Sequence, residues 1–251
     1  MELPLFTNLL IAALIFIVAA LYSSVGHGGA SGYLAVLSLF AFAPSFMSTT
    51  ALILNVLVAG VGMIHFIRAG HFSIRNAWPF VLLSVPSAFL GGYLKVSEKV
   101  YFLLLAVVLL FAAYRMFTSA KGTATDESTK RPSRSVAIAG GAGIGLLSGV
   151  VGVGGGIFLS PIMIFLRWAT TKQTAAISAF FIVVNSLAGL GGRAVRGGLE
   201  LGTIWPLVLG AFAGGFLGSY MGSTRLSGAF LRKLLALVLL IASFKLILVS
   251  V

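Results

Sequence analysis

Two glycine clusters interrupt long apolar segments of this chain: "SVGHGGASG" at residues 24–32 and "VVGVGGGIF" at residues 150–158. Each Gly costs a helix interior about 1 kcal/mol relative to Ala. Gly26, Gly28 and Gly29 in the first cluster, and Gly152, Gly154, Gly155 and Gly156 in the second, therefore predict helix breaks. Backbone that leaves the helix at membrane depth survives only where protein buries it or a watered cavity meets it. A half-helix that restarts at such a break points unpaired N–H groups and the positive end of its dipole at that cavity. The chemistry on offer is anion binding without a fixed charge. A single glycine cluster reads first as a close-packing surface, the role expected of Gly140, Gly141, Gly145, Gly149, Gly214 and Gly218. Two clusters at corresponding places in two halves of a chain point instead to a transport site.

The other reactive residues fit the same chemistry. The acidic residues are Glu2, Glu98, Asp126, Glu127 and Glu200, all at segment ends or in a polar connection. Cation carriers and proton relays usually bury Asp or Glu inside the bundle, so a neutral or anionic substrate is expected. Ser31, Ser178, Asn55 and Asn185 can complete the coordination of an oxyanion, and the two amides fall mid-segment. Each amide either lines the cavity or bonds across helices. His27, inside the first cluster, is the leading candidate for proton coupling, because imidazole titrates near neutral pH. His65 is a second candidate, placed about one turn inside Arg68. Arg193 and Arg196 follow the eighth apolar segment, where they either gather and release anions or snorkel at the interface. The chain has no cysteine, which excludes disulfides and thiolate sites; no cofactor or metal is expected.

The elements that must position these residues are membrane helices. The chain has 251 residues, 59% hydrophobic and 9% charged, whereas soluble domains carry about 25% charged residues. No Lys, Arg, Asp or Glu occurs between Leu3 and Ile67, and about 20 apolar residues cross a bilayer. A polytopic all-α membrane protein follows. The N-terminus lacks the basic start of a secretory signal. The net charge of +12 belongs to segment ends, as in membrane anchors, so nucleic acid is not an expected partner. The expected partners are the lipid bilayer and a small anion; homodimerisation is compatible with the sequence.

Ten apolar segments are predicted, near 5–24, 29–42, 47–67, 77–94 and 99–118, then 135–151, 156–167, 173–192, 203–222 and 229–250. The polar stretch 119–135 separates a first repeat, 1–118, from a second, 136–251. Val25 and Val151 open the matching motifs "VGHGG" and "VGVGG"; Trp78-Pro79 recurs as Trp205-Pro206, and "FLGGYL" from Phe89 as "FLGSYM" from Phe216. An odd number of segments per repeat inverts the second copy. The side of the linker then collects Arg68, Arg75, Arg115, Lys121, Lys130, Arg131, Arg134, Arg167, Lys172, Arg225, Arg232 and Lys233. The opposite side holds Lys95, Lys99, Arg193, Arg196 and Lys245. Positive residues favour the cytoplasm, so the linker is expected inside and both termini outside. The second segment of each repeat is too short for a full crossing, which leaves eight to ten spans, with broken or re-entrant helices meeting near the midplane.

"GLLSGVVGVGGGIFLSPIMIFL", then "TAAISAF", then "GGRAVRGGLELGTIWPLVLGAFAGGFLGSYMG" resemble the TauE/SafE family of sulfite and organosulfonate exporters, also called toluenesulfonate-uptake permeases. The resemblance covers both repeats. It places the family's glycine motif on Gly152, Gly154, Gly155, Gly156 and Pro161, its small polar position on Ser178, and its basic stretch on Arg193, Arg196 and Gly197. It implies a secondary transporter of small sulfur-containing anions in a bacterial inner membrane. The first repeat departs from the motif, with His27, Ala30 and Ala35 where the second has Val153, Gly156 and Pro161.

Two rivals use the same residues. A passive anion channel would need the same site. "GGASGYL" also resembles the Gly-x-Ser-Gly helix start of rhomboid intramembrane proteases, with Ser31 as nucleophile and a distant His such as His65 as base. Against that stand Ile157 at the place of Ser31 in the second repeat, and the repeat itself.

Overall fold

The structure, a computed structural model, describes residues 4–24, 28–118, 132–197, 199, 201, 204–222 and 228–250. Its described residues include the α-helices α1 (Leu5–Ser24), α2 (Ala30–Leu39), α3 (Pro44–Arg68), α4 (Ile74–Tyr93), α5 (Glu98–Thr118), α6 (Arg134–Val151), α7 (Gly156–Phe165), α8 (Thr171–Gly197), α9 (Trp205–Gly222) and α10 (Gly228–Ser250). The predicted segments match these bounds within a few residues. Only α8 runs clearly further than expected, so Arg193 and Arg196 lie on the helix instead of following it.

α2 and α7 have 10 residues each, about 15 Å at 1.5 Å per residue. That is half of a hydrocarbon core of about 30 Å. Among the described residues the other eight helices have 18 residues or more. Four of them, α1, α3, α6 and α8, are both long and apolar enough to cross a membrane. Large apolar side chains on the outside, such as Phe165 at 86% and Leu5 at 76% exposed, suit lipid contact rather than water.

Glycines explain how the helices pair. Added Cβ atoms on Gly141, Gly145 and Gly149 of α6 would strike the α4 backbone at Phe80, Ser84 and Ala88 in turn. Gly210, Gly214 and Gly218 of α9 meet the α1 backbone at Ala12, Phe16 and Ala20 in the same way. Both pairs run parallel with a four-residue spacing, which brings helix backbones together where small residues line up. The fourth helix of each repeat thus packs on the first helix of the other. The third helices cross antiparallel: Leu52 of α3 meets Gly189 of α8, while Ala59 meets Ile182 and Val183. The corresponding third helices of the two halves therefore point in opposite directions, as expected for an inverted repeat.

The main core gathers around α2, with Tyr33, Leu34 and Leu37 packed among Ile15 of α1, Leu54 of α3, Leu105 of α5 and Leu239 of α10. A second core, with Phe80, Met163, Ile177 and Phe181, lies under α7 between α4 and α8.

Candidate functional site

α6 stops where the chain turns left-handed: Gly152 has φ +90°, Gly154 +75° and Gly155 +82°. A residue with a Cβ loses roughly 1–2 kcal/mol in that region and glycine does not, so the glycines let the chain leave the helix here. α7 restarts at Gly156. The first repeat does the same at Gly29, φ +93°, just before α2. No side chain caps the start of α2 or of α7, which leaves the N–H groups of their first residues without a capping side chain.

Both starts border one cavity of about 20 Å³. Its walls are Gly28, Gly29, Ala30 and Ser31 from the first break, Val153 and Ile157 from the second, and Tyr22, Asn55 and Ile182 from α1, α3 and α8. Asn55 is 1% exposed and bridges the breaks. Its Nδ2 donates to the Val153 carbonyl at 3.1 Å, and its Oδ1 has no partner. A Cβ on Gly28 would lie 2.7 Å from that Oδ1, and one on Gly154 would lie 2.6 Å from Nδ2. The amide therefore requires glycine on both of its sides.

The other sequence-predicted residues divide. Ser31 lines the cavity and shares a 2.6 Å hydrogen bond with the Tyr22 hydroxyl. Ser178 sits one layer behind, accepting from the Ser160 hydroxyl at 2.8 Å. Asn185 turns its Nδ2 to the Phe181 carbonyl of its own helix at 2.8 Å and is not a wall of the cavity. Its Oδ1 is buried without a partner. His65 is exposed in the last turn of α3, ten residues beyond Asn55 and so about 15 Å along the axis. Gly26 and His27 lie outside the described residues.

Arg193 and Arg196 behave differently from one another. Arg196, half-buried, donates to the Leu94 carbonyl at 2.8 Å. Arg193 is only 4% exposed, and its guanidinium donates to the carbonyls of Gly149 at 2.8 Å and Val150 at 3.0 Å. The Tyr101 hydroxyl donates to the next carbonyl, Val151, at 3.1 Å. These three carbonyls end α6 and lack helical partners. A cation there also meets the negative end of the helix dipole. Arg193 is thus neither a snorkelling residue nor an exposed anion trap; it fixes the end of the helix that precedes the second break.

Sequence reasoning missed Tyr22, Ile182 and Ser186. The Ser186 hydroxyl is fully buried without a partner and lies 3.0 Å from where a Gly154 Cβ would be. Its position beside Asn185 in an apolar segment was the available signal.

The sequence profile described as "Sulfite exporter TauE/SafE" matches residues 11–246. The chain belongs to the TauE/SafE family. It is 38% identical over 240 residues to the "Probable membrane transporter protein y4hK" of Sinorhizobium fredii (strain NBRC 101917 / NGR234), with 94% of this chain and 97% of that protein covered. No solved structure matches the chain. The TauE/SafE chain is an integral membrane transporter and not an enzyme. The geometry agrees: Ser31 is engaged by Tyr22 and His65 is far along α3, so the Ser–His pair of the protease reading is not formed.

Proposed function

We propose that the protein is a secondary carrier of small sulfur-containing oxyanions, such as sulfite and sulfonates, held between the two glycine breaks. The observation that carries this reading is the convergence of two uncapped helix starts on one cavity bridged by Asn55. Unpaired N–H groups and two positive dipole ends favour an anion. Glu98 is the only acidic residue among the described residues and sits at the start of α5, so no described carboxylate opposes the charge. The resident donors are neutral, which holds the anion without trapping it in a salt bridge.

Carriage is favoured over passive flow by the size of the space. A cavity of about 20 Å³ holds about one water, so an oxyanion enters only after the surrounding helices part. Alternating access of two inverted repeats around a fixed site supplies that movement. In this reading the linker faces the cytoplasm of a bacterial inner membrane and both termini face out, following the twelve-to-five distribution of basic residues read from the sequence. His27, where the second repeat has Val153, is the candidate for proton coupling.

The test is flux in proteoliposomes loaded with a panel of sulfur oxyanions. A coupled carrier accumulates sulfite or a sulfonate against its gradient when a pH step is imposed, and His27→Gln removes the pH drive while leaving exchange. Dissipative flow alone would make the protein a channel. No flux of any sulfur oxyanion would refute the substrate class.

A further inference from the structure

Arg193 carries a charge that its hydrogen bonds do not require. The last four carbonyls of α6, the ones a helix end leaves over, belong to Ser148, Gly149, Val150 and Val151. The Ser148 carbonyl accepts from the Gly152 N–H at 2.8 Å, and the Val151 carbonyl from the Tyr101 hydroxyl at 3.1 Å. The other two accept from Arg193, and both bonds leave one nitrogen, Nη2. An uncharged amide nitrogen has the same two hydrogens, so capping alone does not call for a cation. Yet Arg193 is buried, and its Nε has no partner. Glu98, the one described acid, is exposed in the first turn of α5, so among the described residues no carboxylate pairs with the guanidinium. A buried unpaired charge is costly, and an ionisable group at membrane depth is by default functional.

The charge faces the negative end of α6. A helix end carries about half an elementary charge. This end lies two residues before Val153, a wall of the glycine-break cavity, with only residues 152–155 between it and the start of α7. An anion in that cavity meets the positive start of α7 and the negative end of α6 together.

We infer that Arg193 is a tethered counter-ion: it fills a monovalent-cation site at the end of α6 and cancels the negative helix end beside the anion cavity. Carbonyls at the ends of broken helices are the ligands that hold coupling cations in secondary transporters. Here a side chain occupies that place, so the second break draws no ion from solution. The counter-ion role rests on the anion-carrier reading above; the cation site does not. The same device closes α2, whose Ser38 and Leu39 carbonyls accept from the Lys245 ammonium at 3.0 and 2.8 Å. The first repeat has Ile67 at the register position of Arg193, so the first break receives no cation from that position.

The test removes the side chain and offers the cation back. Arg193 lies four residues from the end of α8, about 6 Å along its axis, so a small solute can reach the space left behind. Purified full-length Arg193→Ala is melted, and assayed for sulfite flux in proteoliposomes, in millimolar guanidinium chloride, far below denaturing concentrations. Tetramethylammonium chloride at equal ionic strength is the comparison. Guanidinium is expected to raise the melting temperature of Arg193→Ala, because it binds only the folded state. It is also expected to raise flux fivefold or more, mainly through a lower KM for sulfite. Tetramethylammonium should do neither, and wild type should respond to neither salt. No guanidinium response in folded Arg193→Ala, or an equal response to tetramethylammonium or in wild type, would overturn the inference. If Arg193→Ala does not fold, Arg193→Lys and Arg193→Gln decide. Both lose the fork, but only lysine keeps the charge, and it should carry sulfite fivefold or more faster than glutamine. Equal flux would overturn the counter-ion role. A wild-type protein that moves no sulfite would instead refute the carrier reading, and the melting shift would still decide the cation site.

Discussion

The two half-helices that begin at the glycine breaks are built to different standards. Every residue of α2 from Ala30 to Ser38 is buried, enclosed by α1, α3, α5 and α10. Its last carbonyls, Ser38 and Leu39, accept from the Lys245 ammonium of α10 at 3.0 and 2.8 Å. In α7 the buried residues are Gly156, Leu159, Ser160 and Met163, and Phe165 stands 86% exposed. α7 leans on α8 and the end of α6, with Phe158 stacked on Phe111 of α5. Pro161 deprives it of one internal hydrogen bond. Local opening is cheapest where few apolar contacts are lost. In the carrier reading, α2 is therefore expected to stay fixed while α7 moves.

The largest effect expected from testing this contrast comes from exchanging the prolines. Ala35 of α2 stands at the register position of Pro161. Ala35→Pro should cost about 3 kcal/mol or more, seen as loss of monodisperse protein on size exclusion. Pro161→Ala should raise the melting temperature and slow transport severalfold. If both changes proved equally harmful, the two half-helices would be equivalent.

Next in size is Gly155→Val. The side chain would meet Phe181 at 2.6 Å and Ile144 at 2.9 Å at a left-handed backbone position. Transport should be abolished while the protein still inserts and elutes as a folded species; full flux in this variant would remove the second break from the site. Arg193→Gln should follow, because it strands two α6 carbonyls at a cost of about 1–3 kcal/mol. Flux should fall at least tenfold, with a matching drop in thermal stability. Ile67 occupies the register position of Arg193 in the first repeat and is 44% exposed. Ile67→Gln should therefore change stability by less than about 0.5 kcal/mol. Equal effects would show that the end of α6 needs no special anchor. Smallest is Ser31→Ala, which removes one buried partner of Tyr22 at about 1 kcal/mol and should leave initial flux within about threefold of wild type.

The helices were legible because uncharged runs and glycine clusters mark their ends by composition alone. α8 was the exception. "GGR" at residues 191–193 reads as a terminus, yet Gly192 is packing material: a Cβ there would strike the backbone at Phe89, and the helix passes straight through. The glycine breaks were legible for the same reason that α8 was not, namely that glycine has two uses and the sequence shows only the residue. The repeat settled the breaks; nothing comparable marked residue 192. Asn55 and Asn185 looked alike as mid-segment amides one turn out of register. Their difference depends on what lies opposite, the Val153 carbonyl for one and the Phe181 carbonyl of its own helix for the other. Arg193 was legible as a charge but not as a cap, since the carbonyls it serves are more than forty residues earlier in the chain.

The exchange of partners between the halves, α4 on α6 and α1 on α9, has a consequence for biosynthesis. When the first five helices have left the ribosome, α1 and α4 still present glycine-complementary backbone faces with nothing to cover them, and α9 is the last helix but one to arrive. The nascent first half must therefore wait in the membrane as a loose assembly, a natural client for insertion chaperones and quality-control proteases. Neither half expressed alone should persist, whereas the two halves produced together as separate polypeptides should find each other and restore the transporter.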